Sequence, residues 1–290
     1  MTLTNASNLA TATTPLTDYG VEALTETEFK TVQKVIRAFT GIHMTDAKRQ
    51  LVVRRLNGRM KATQCSTVAE YLRRLDSGDQ AEIEQFTNAV TTNLTSFFRE
   101  NHHFDFLRET IIPHCIARKA TTTKRLRIWS AGCSTGEEPY SLAMTVRGMS
   151  SQLRDWDIKI LCTDIDSAVV AKAAAGRYNE ERAEKVPEPL RKKMFSQSGN
   201  QLVVRDDLRK LVTFKQLNLM GDWPMHGKFD AIFCRNVFIY FDKPTQAALV
   251  NRYADLLEED GFLIIGHSEN LLKVTDRFSL IGKTIYRREY

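Results

Sequence analysis

The sequence changes its pattern at about residue 124, and this change limits the folds that are open to the chain. From about residue 25 to residue 92 apolar residues recur at helical spacing, and no convincing strand occurs before residue 124. After the polar link RKATTTK, short apolar runs alternate with helical stretches. Such alternation is typical of a parallel sheet with helices on both faces. The sequence therefore predicts an all-helical region followed by a doubly wound α/β domain.

Five strands and a terminal hairpin are predicted in the second region. The strand candidates are RLRIWS, IKILCTD, LVTFKQL, FDAIFC and GFLIIGH. The last segment, FSLIGKTIYRRE, has Gly-Lys between two strand-like runs, which favours a hairpin that adds antiparallel strands to one side of the sheet. In the first region, Thr25 and Glu28 form a capping-box pattern at the start of a helix, and Gly41 is expected to end it.

Composition excludes several classes of protein. Lys and Arg number 41 against 35 Asp and Glu, and the resulting net charge of +6 with a pI near 9.0 favours an acidic partner without identifying it. No apolar run approaches the roughly 18 residues of a membrane span. The first 29 residues contain no Lys or Arg, unlike a secretory or transit signal, so we expect a cytoplasmic protein. The five cysteines lack C-x-x-C spacing and are expected to be reduced and mostly buried, and no metal site is expected.

The turn after the first predicted strand is open to two interpretations. In RIWSAGCSTGEEPYSLA, a turn of small residues leads into a helix that opens with Glu137 and Glu138. Its G-x-S-x-G core is similar to the turn that exposes a nucleophile, here Ser134, in α/β serine hydrolases. That turn normally follows several earlier strands, whereas this strand is the first, and no HGGG-like segment is present. The hydrolase interpretation is disfavoured, although Asp164 and His267 follow in the matching order.

The second interpretation is a cradle for an adenosine cofactor, since ligands of doubly wound sheets lie at such a turn. The dinucleotide fingerprint is incomplete, because the chain has only Gly132 and Gly136, followed by two glutamates. Those carboxylates would repel a pyrophosphate but tolerate a cationic cofactor, which favours S-adenosylmethionine over NAD. They are equally explained as ordinary acids at a helix N-terminus. Asp164 supports the cofactor, because an acid at the end of the second strand is placed to accept hydrogen bonds from both ribose hydroxyls.

The chain resembles the chemotaxis receptor methyltransferases of the CheR family. The matching motifs, in family order from about residue 25 to 286, are TTNLTSFFRE, WSAGCSTGEEPYS, TDID, LNL, FDAIFCRNVFIYF and GHSEN. The resemblance implies a Rossmann-like S-adenosylmethionine-dependent methyltransferase sheet with a small inserted antiparallel subdomain, preceded by an all-helical N-terminal domain. It also implies methyl transfer from S-adenosylmethionine to receptor glutamates, forming methyl esters for sensory adaptation and S-adenosylhomocysteine as product.

The predicted domain boundaries follow from the pattern and the resemblance together. Residues 1–20, rich in Thr, Ala and Asn, are expected to form a mobile tail. A helical receptor-docking domain is predicted over residues 21–92 and the methyltransferase domain over residues 93–290. The inserted subdomain is expected at residues 177–211.

The resemblance implies roles for individual residues. Arg99 would bind the methionine carboxylate, and either Arg99 or Arg235 would steer the incoming glutamate, while Tyr240 would hold it; these three are the catalytic candidates. The implied cofactor-binding residues are Asn93, Thr95, Arg99, Gly132, Glu137, Asp164, Asn218, Leu219, Arg235 and Asn236. The alternatives that the residues themselves leave open are that Asn93 and Thr95 cap a helix beginning at SFFRE and that Tyr240 is a core residue.

A basic stretch in the helical region is a candidate docking surface. Residues 47 to 69 contain no acid. The candidate docking residues are Lys48, Arg54, Arg55, Arg59 and Lys61. A solvated helix face would explain them equally well, but the resemblance favours contact with the acidic helical methylation region of chemoreceptors.

Other partners and functions are disfavoured. RNA or small-substrate methylation is the main alternative, but RNVF replaces the N-P-P-Y-like motif that amino-methylating enzymes of nucleic acids place after the fourth strand, and base-stacking patterns are absent. A non-catalytic interaction module is also disfavoured, because the cofactor motifs are intact. We expect a monomer that uses neither nucleic acid nor membrane insertion.

The inserted subdomain bears on how the receptor is found. Relatives that hold the receptor's C-terminal peptide add it as a strand to the edge of this subdomain. Here the connection from Phe195 to Leu202 is only SQSGNQ. By the resemblance, this connection is a few residues shorter than in the relatives that bind the peptide. The sequence therefore predicts an enzyme that needs no C-terminal tether.

Overall fold

The computed structural model describes residues 21–272 and 274–289, so the predicted tail over residues 1–20 lies outside the described part. The chain divides into two compact units, with the division between Thr92 and Asn93. Among the described residues, no helix combines the length and the apolar character that crossing a bilayer requires.

The described part of the first unit is helical. Its helices are α1 (Glu26–Thr40), α2 (Arg49–Thr63), α3 (Val68–Asp76) and α4 (Gln80–Val90), with a 3₁₀ turn at Asp46–Lys48 before α2. The predicted capping box begins α1, since the backbone N–H of Glu28 donates to Thr25 Oγ1 at 3.2 Å and that of Thr25 donates to Glu28 Oε2 at 2.9 Å. Gly41 ends the helix with a φ of 73°.

Helix α2 is fixed in the first unit by an apolar face and by a buried ion pair. Val52, Leu56 and Met60 recur at i, i+4 and i+8 and are buried. On a neighbouring face, Arg59 Nη2 lies 2.6 Å from Glu82 Oε2 of α4. The Tyr71 hydroxyl donates to the same carboxylate at 2.5 Å. The Glu82 side chain is only 5% exposed, so Arg59 neutralises a charge that cannot reach water.

The second unit holds the strands. Its helices are α5 (His102–Phe106), α6 (Ile112–Lys119), α7 (Glu137–Gly148), α8 (Ser167–Ala175), α9 (Glu180–Ala183), α10 (Glu188–Met194), α11 (Asp206–Arg209) and α12 (Lys243–Leu256). A π-helical turn at Leu107–Ile111 joins α5 to α6. The strands are β1 (Arg125–Ala131), β2 (Asp157–Asp164), β3 (Arg177–Tyr178), β4 (Phe195–Ser198), β5 (Gln201–Val204), β6 (Val212–Gln216), β7 (Phe229–Cys234), β8 (Leu257–Ile265), β9 (Phe278–Gly282) and β10 (Ile285–Arg288).

The main sheet has the order β6-β2-β1-β7-β8-β10-β9. The first five of these strands run parallel, while β10 is antiparallel to β8 and to β9. The chain leaves β1 in one direction through β2 and β6 and returns to its other side with β7, so the topological switch point lies at the carboxyl end of β1. This confirms the predicted doubly wound sheet and places a ligand crevice beside the small-residue turn.

Strand β1 is buried on both sides because helices cover both faces of the sheet. Ile128 and Leu126 pack in one apolar cluster, whereas Trp129 and Ala131 pack in the other. The indole N–H of Trp129 donates to Thr163 Oγ1 at 2.9 Å, which satisfies the polar group of a fully buried ring.

The terminal hairpin and the inserted subdomain both form, with one difference in detail. The hairpin turn is Lys283-Thr284 rather than Gly-Lys, because Gly282 still belongs to β9. The subdomain contains a separate antiparallel sheet of order β3-β5-β4, in which β4 and β5 are joined by Gly199 and Asn200. Gly199 has a φ of 59°, as a tight two-residue hairpin requires. Strand β4 is an edge of this small sheet.

Candidate cofactor and active site

The turn between β1 and α7 is a strained loop held at the end of β2. Gly132, Ser134 and Gly136 have φ values of 104°, 48° and 97°. The backbone N–H groups of Gly132 and Cys133 donate to the carbonyl of Thr163 at 2.8 and 2.9 Å. A Cβ on Gly132 would collide with the side chain of Val237, so only glycine fits where β1 approaches the loop after β7.

Asp164 lies beside this turn, at the carboxyl end of β2. Its Oδ2 accepts the backbone N–H of Ser134 at 2.8 Å, and its Oδ1 accepts that of Asp166 at 3.0 Å. Burial raises the pKa of Asp164 to about 6, against the opposing effect of these N–H groups. A carboxylate has about four acceptor positions, so two donors leave Asp164 able to accept ribose hydroxyls.

The segment before the sheet is anchored to the same strand end. Asn93 Nδ2 donates to Asp166 Oδ2 at 2.7 Å, while Oδ1 of Asp166 caps α8. The predicted alternative, in which Asn93 and Thr95 cap a helix that starts at SFFRE, does not describe the structure, because the next helix begins only at His102. Asp166 therefore both caps α8 and fixes the segment that is predicted to close over the cofactor.

Two glutamates at the start of α7 have different partners. Glu137 is fully buried, and its carboxylate accepts Arg182 Nη1 at 2.8 Å and Thr135 Oγ1 at 2.6 Å. Glu138 accepts Ser130 Oγ at 2.7 Å and Arg235 Nη1 at 2.9 Å. Burial raises the pKa of Glu138, and the charge of Arg235 opposes that rise. Neither glutamate is a solvated helix-terminal acid.

Arg235 ends β7 inside a network of buried charges. Its side chain is 2% exposed, its Nη2 lies 3.3 Å from Glu100 Oε2, and it also donates to the carbonyl of Arg99. The sequence allowed Arg235 to contact the cofactor or the substrate through its guanidinium. In the structure the guanidinium lies against Glu100 and Glu138 and is closed off from solvent. Arg235 thereby joins the segment that carries Arg99 to the strand ends.

Glu100 was not singled out by sequence, yet it gathers several partners. His267 donates to it from the backbone N–H at 3.1 Å, and His267 Nδ1 lies 2.8 Å from its carboxylate. Burial alone would raise the pKa of Glu100, but His267 and Arg235 outweigh it and lower the pKa to about 2. His103 Nδ1 lies 3.5 Å away, and burial together with the charge of Arg235 lowers the pKa of His103 to about 3. Glu100 is therefore an anion and His103 is neutral at physiological pH.

The loop after β7 is shaped by a second carboxylate that sequence reasoning missed. Glu269 is buried and accepts the backbone N–H groups of Gly266, Asn236 and Ile239 at 2.6, 3.0 and 3.1 Å. Asn236 has a φ of 58°, which few non-glycine residues adopt. Glu269 lies in the GHSEN motif, which was the available signal. It fixes the path of the chain up to Tyr240, which is half-buried in the 3₁₀ turn Phe238–Tyr240.

The remaining predicted residues lie on two flanks of the site. Arg99 is 31% exposed and donates to the carbonyl of Leu94 at 2.9 Å. Asn218 and Leu219 follow β6, whose neighbour in the sheet is β2. Asn218 Oδ1 accepts the N–H of Met220 at 2.9 Å, and Leu219 is 8% exposed. The apolar Leu219 is suited to pack on an adenine ring.

Ser134 lacks the environment of a nucleophile. Its Oγ is buried and makes no hydrogen bond with the described residues, so no imidazole activates it. His267, the candidate base, pairs with Glu100 and Ser268 instead. The five cysteines are free and buried, as predicted.

The donor set fits a cationic adenosine cofactor. The carboxylate of Asp164 is suited to accept hydrogen bonds from ribose hydroxyls, the anion of Glu137 is suited to an ammonium group, and the cation of Arg99 is suited to a carboxylate. Together with a parallel sheet of this order, these residues define a methyltransferase that uses S-adenosylmethionine.

Comparison with known proteins identifies the family. The profile of the CheR methyltransferase SAM binding domain matches residues 93–287, and that of the CheR methyltransferase all-alpha domain matches residues 27–91. The chain belongs to the CheR family. It is 44% identical to a probable chemotaxis protein methyltransferase of Rhizobium etli, over 87% of this chain and 96% of the relative.

Further relatives extend over a similar share of the chain. Chemotaxis protein methyltransferase 2 of Pseudomonas aeruginosa is 43% identical over 90% of this chain and 93% of its own length. The chemotaxis protein methyltransferase of Escherichia coli is 39% identical over 91% of both chains. The predicted family, fold class, enzyme class and cofactor are thereby confirmed.

Proposed function

We propose that this enzyme transfers the methyl group of S-adenosylmethionine to glutamate side chains in the acidic helical methylation region of chemoreceptors. The observation that carries the proposal is the pair of anions on either side of the small-residue turn, Glu137 and Asp164, which suits a cofactor with an ammonium group and a ribose. The names of the relatives support a chemotaxis substrate. The product is a glutamate methyl ester.

Few residues are needed for the chemistry. When bound, S-adenosylmethionine supplies a methyl group already activated by its sulfonium charge, and a glutamate carboxylate is already ionised at neutral pH, so no general base is required. Asp164 holds the ribose, Glu137 the ammonium group and Leu219 the adenine. Arg99 attracts the incoming carboxylate and Tyr240 orients it by a hydrogen bond. Arg235 contributes by holding neighbouring residues in place rather than through its own charge, because Glu100 and Glu138 neutralise that charge.

The docking surface that we propose on α2 is smaller than the sequence indicated. Arg55 donates to the carbonyl of Val90 at 2.6 Å, and Arg59 neutralises Glu82, so both are used within the first unit. Arg54 and Lys61 are exposed, and they border an open depression of about 690 Å³ whose lining includes Gly58. A Cβ on Gly58 would meet open space, so an acidic helix can approach between the two cations. Lys48 precedes α2, in the 3₁₀ turn Asp46–Lys48.

We propose that the inserted subdomain does not need to bind the C-terminal peptide of the receptor. Strand β4 is only four residues long, and the two-residue turn at Gly199 and Asn200 leaves no loop to close over an added peptide. Titration with the last residues of the cognate receptor should give no micromolar binding, and a receptor that lacks them should still be methylated. Binding of the peptide together with loss of methylation on truncation would contradict this part of the proposal. We further propose a monomeric enzyme without a nucleic-acid substrate.

The reaction itself is tested by the chemistry of the product. The enzyme is incubated with labelled S-adenosylmethionine and receptor methylation regions, and the labelled protein is then treated with base. Methyl esters release methanol, whereas N-methyl groups are stable. Label that resists base, or label that enters no acidic side chain, would contradict a glutamate methyltransferase. RNA incubated in parallel is the control for the alternative substrate.

A further inference from the structure

The turn that carries Tyr240 also holds an apolar side chain in solvent. Ile239 directly precedes Tyr240 in the 3₁₀ turn Phe238–Tyr240 and is 54% exposed. A 3₁₀ turn has three residues, so its successive side chains point in different directions. Phe238 packs in the core and is 2% exposed. Ile239 therefore points outward, beside the residue that we propose to orient the incoming carboxylate.

A second apolar side chain is exposed on the segment that fixes this turn. Glu269 accepts the N–H of Ile239 at 3.1 Å, and Leu272, which follows it in the same segment, is 75% exposed. The residues directly before the two exposed ones, Phe238 and Leu271, are buried in the same apolar cluster. Ile239 and Leu272 thus extend from one part of the core toward solvent, and we call them the apolar rim.

Further hydrogen bonds hold the backbone of the apolar rim. Gln246 donates to the carbonyls of Phe238 and Phe241 at 2.9 and 3.0 Å. The N–H of Leu271 donates to the Tyr286 hydroxyl at 3.1 Å. Single exposed apolar residues are common on protein surfaces. This pair differs because both members are held in place next to a residue proposed to bind substrate, so contact with a partner would cost little conformational entropy.

The partner that covers the apolar rim follows from the proposed substrate. When a glutamate of a helix reaches Tyr240, the side chains three or four positions away lie on the same face of that helix, about 5–6 Å from it. These neighbours therefore meet the surface around Tyr240. Ile239 and Leu272 offer them neither charge nor a hydrogen-bonding group, so a charged or amide neighbour would lose water without gaining a partner.

Covering the apolar rim also suits the reaction. A carboxylate must shed water before it attacks the sulfonium methyl group, and apolar neighbours that pack on the rim exclude water from the mouth of the site. The cations Arg54 and Lys61 of α2 attract any acidic helix, because charge attraction acts over about 10 Å. Apolar contact acts only where atoms touch, so it can distinguish one glutamate of the helix from another.

We propose that the apolar rim of Ile239 and Leu272 is a specificity-determining contact for the receptor helix, and that it favours glutamates whose neighbours one helical turn away are apolar. The inference rests on the proposed function, the methylation of glutamates in a receptor helix. It names residues of this chain that choose among glutamates once the acidic region has been attracted.

The test uses receptor methylation regions that each keep a single methyl-accepting glutamate. In one version the positions three before and four after this glutamate are leucine, and in the other they are glutamine, which has a similar helix propensity. The wild-type enzyme should methylate the leucine version with a kcat/KM about tenfold or more higher, as expected for one or two buried apolar contacts. This preference should not change with salt, because apolar contact is not screened.

Variants of the full-length enzyme assign the preference to the apolar rim. Ile239→Thr keeps the β-branch and Leu272→Asn keeps the shape of the side chain, and together they should remove most of the preference. Affinity for S-adenosylmethionine, measured by calorimetry, should not change. Leu280→Asn is the matched control, because Leu280 is 61% exposed on the edge strand β9. It should retain the full preference.

Several outcomes would overturn the inference alone. These are equal methylation of the two versions by the wild-type enzyme, a rim variant that keeps the preference, and a Leu280→Asn variant that loses it. In each case methyl ester is still formed, so the proposed function stands. Absence of base-labile label from both versions would contradict the proposed function, and the inference would fail with it. If the double variant does not fold, Leu272→Asn alone carries the same test at an exposed position.

Discussion

Asp164 shows how a single carboxylate can be prepared for hydroxyl recognition. Burial disfavours its charge, and two backbone N–H groups at 2.8 and 3.0 Å partly compensate. The same N–H groups fix the orientation of the carboxylate between the two strand ends. The residue is thus oriented before any ligand arrives, and its charge is sensitive to pH near neutrality.

Cofactor affinity should depend on the ionisation of Asp164. Since burial raises its pKa to about 6, affinity for S-adenosylmethionine should be nearly constant above pH 7 and should fall as the pH drops from 7 to 5 and the carboxylate becomes protonated. Asp164→Asn should bind more weakly, by about ten- to a hundredfold, because its amide faces backbone donors and accepts less well. Its affinity should also lose the pH dependence. Calorimetry between pH 5 and pH 8 checks both, and an Asn variant that keeps the wild-type profile would assign the titration to another group.

Ser134, in contrast to Asp164, is expected to tolerate replacement. Its Oγ makes no hydrogen bond with the described residues, so Ser134→Ala should keep methyl transfer within a few-fold of the wild type. Alanine carries the same Cβ as serine at this φ of 48°, and the hydroxyl that is removed is buried without a partner among the described residues, so thermal stability should not fall. Receptor methylation and thermal unfolding measure the two effects. A loss of several orders of magnitude in rate would show that the hydroxyl takes part in the chemistry.

At the scale of elements, the loop between β7 and α12 depends on the end of β8. Glu269 collects three backbone N–H groups, which hold Gly266 at the strand end and Asn236 and Ile239 in the loop. A Cβ on Gly266 would collide with the backbone N of Asn236, so the two segments pack directly. The position of Tyr240 is therefore decided by residues about 30 positions later in the chain.

Replacing Glu269 should disturb catalysis through this loop. Glu269→Gln retains the volume but turns an amide N–H₂ toward backbone donors, so we expect kcat to fall about tenfold or more, at roughly 1.5–3 kcal/mol for each charged hydrogen bond lost. Hydrogen exchange at residues 236–240 should rise in the same variant. Ser268→Ala, an exposed neighbouring change, should affect neither. A lower kcat without faster exchange would mean that Glu269 acts on the reaction in another way.

At the scale of the whole molecule, the two units are expected to divide the work. The first unit carries the exposed cations Arg54 and Lys61, whereas the cofactor residues belong to the second. The net charge of +6 strengthens attraction to an acidic partner at a distance, and salt screens this attraction. Receptor recognition and cofactor binding should therefore respond to different changes.

Reversing the charges of Arg54 and Lys61 should separate receptor recognition from cofactor binding. Arg54→Glu with Lys61→Glu should raise the KM for receptor about tenfold or more at low salt and reduce its salt dependence, because the local attraction becomes repulsion. Affinity for S-adenosylmethionine should not change. The control, Lys34→Glu with Arg73→Glu, alters net charge equally at exposed positions away from α2. If the control raised KM to the same extent, net charge rather than the α2 surface would explain recognition.

Much of the architecture followed from local sequence. The alternation of apolar runs and helices predicted the parallel sheet, and the Thr25–Glu28 box and Gly41 correctly bounded α1. These features depend on contacts within a few residues, so a linear pattern carries them. The order of the motifs likewise predicted the family, the cofactor and the position of Asp164 at the end of β2.

The partners of the charged side chains were decided only by the tertiary structure. From the sequence, Arg59 was interpreted as a surface cation and Arg235 as an active-site cation. In the structure Arg59 neutralises Glu82, which lies 23 residues later in the chain. Arg235 neutralises Glu138, which lies 97 residues earlier. Glu100 and Glu269 gained their roles in the same way. Charge pairing in a buried site depends on which segments the sheet brings together and on the cost of leaving a charge without a partner, and neither is encoded in local spacing.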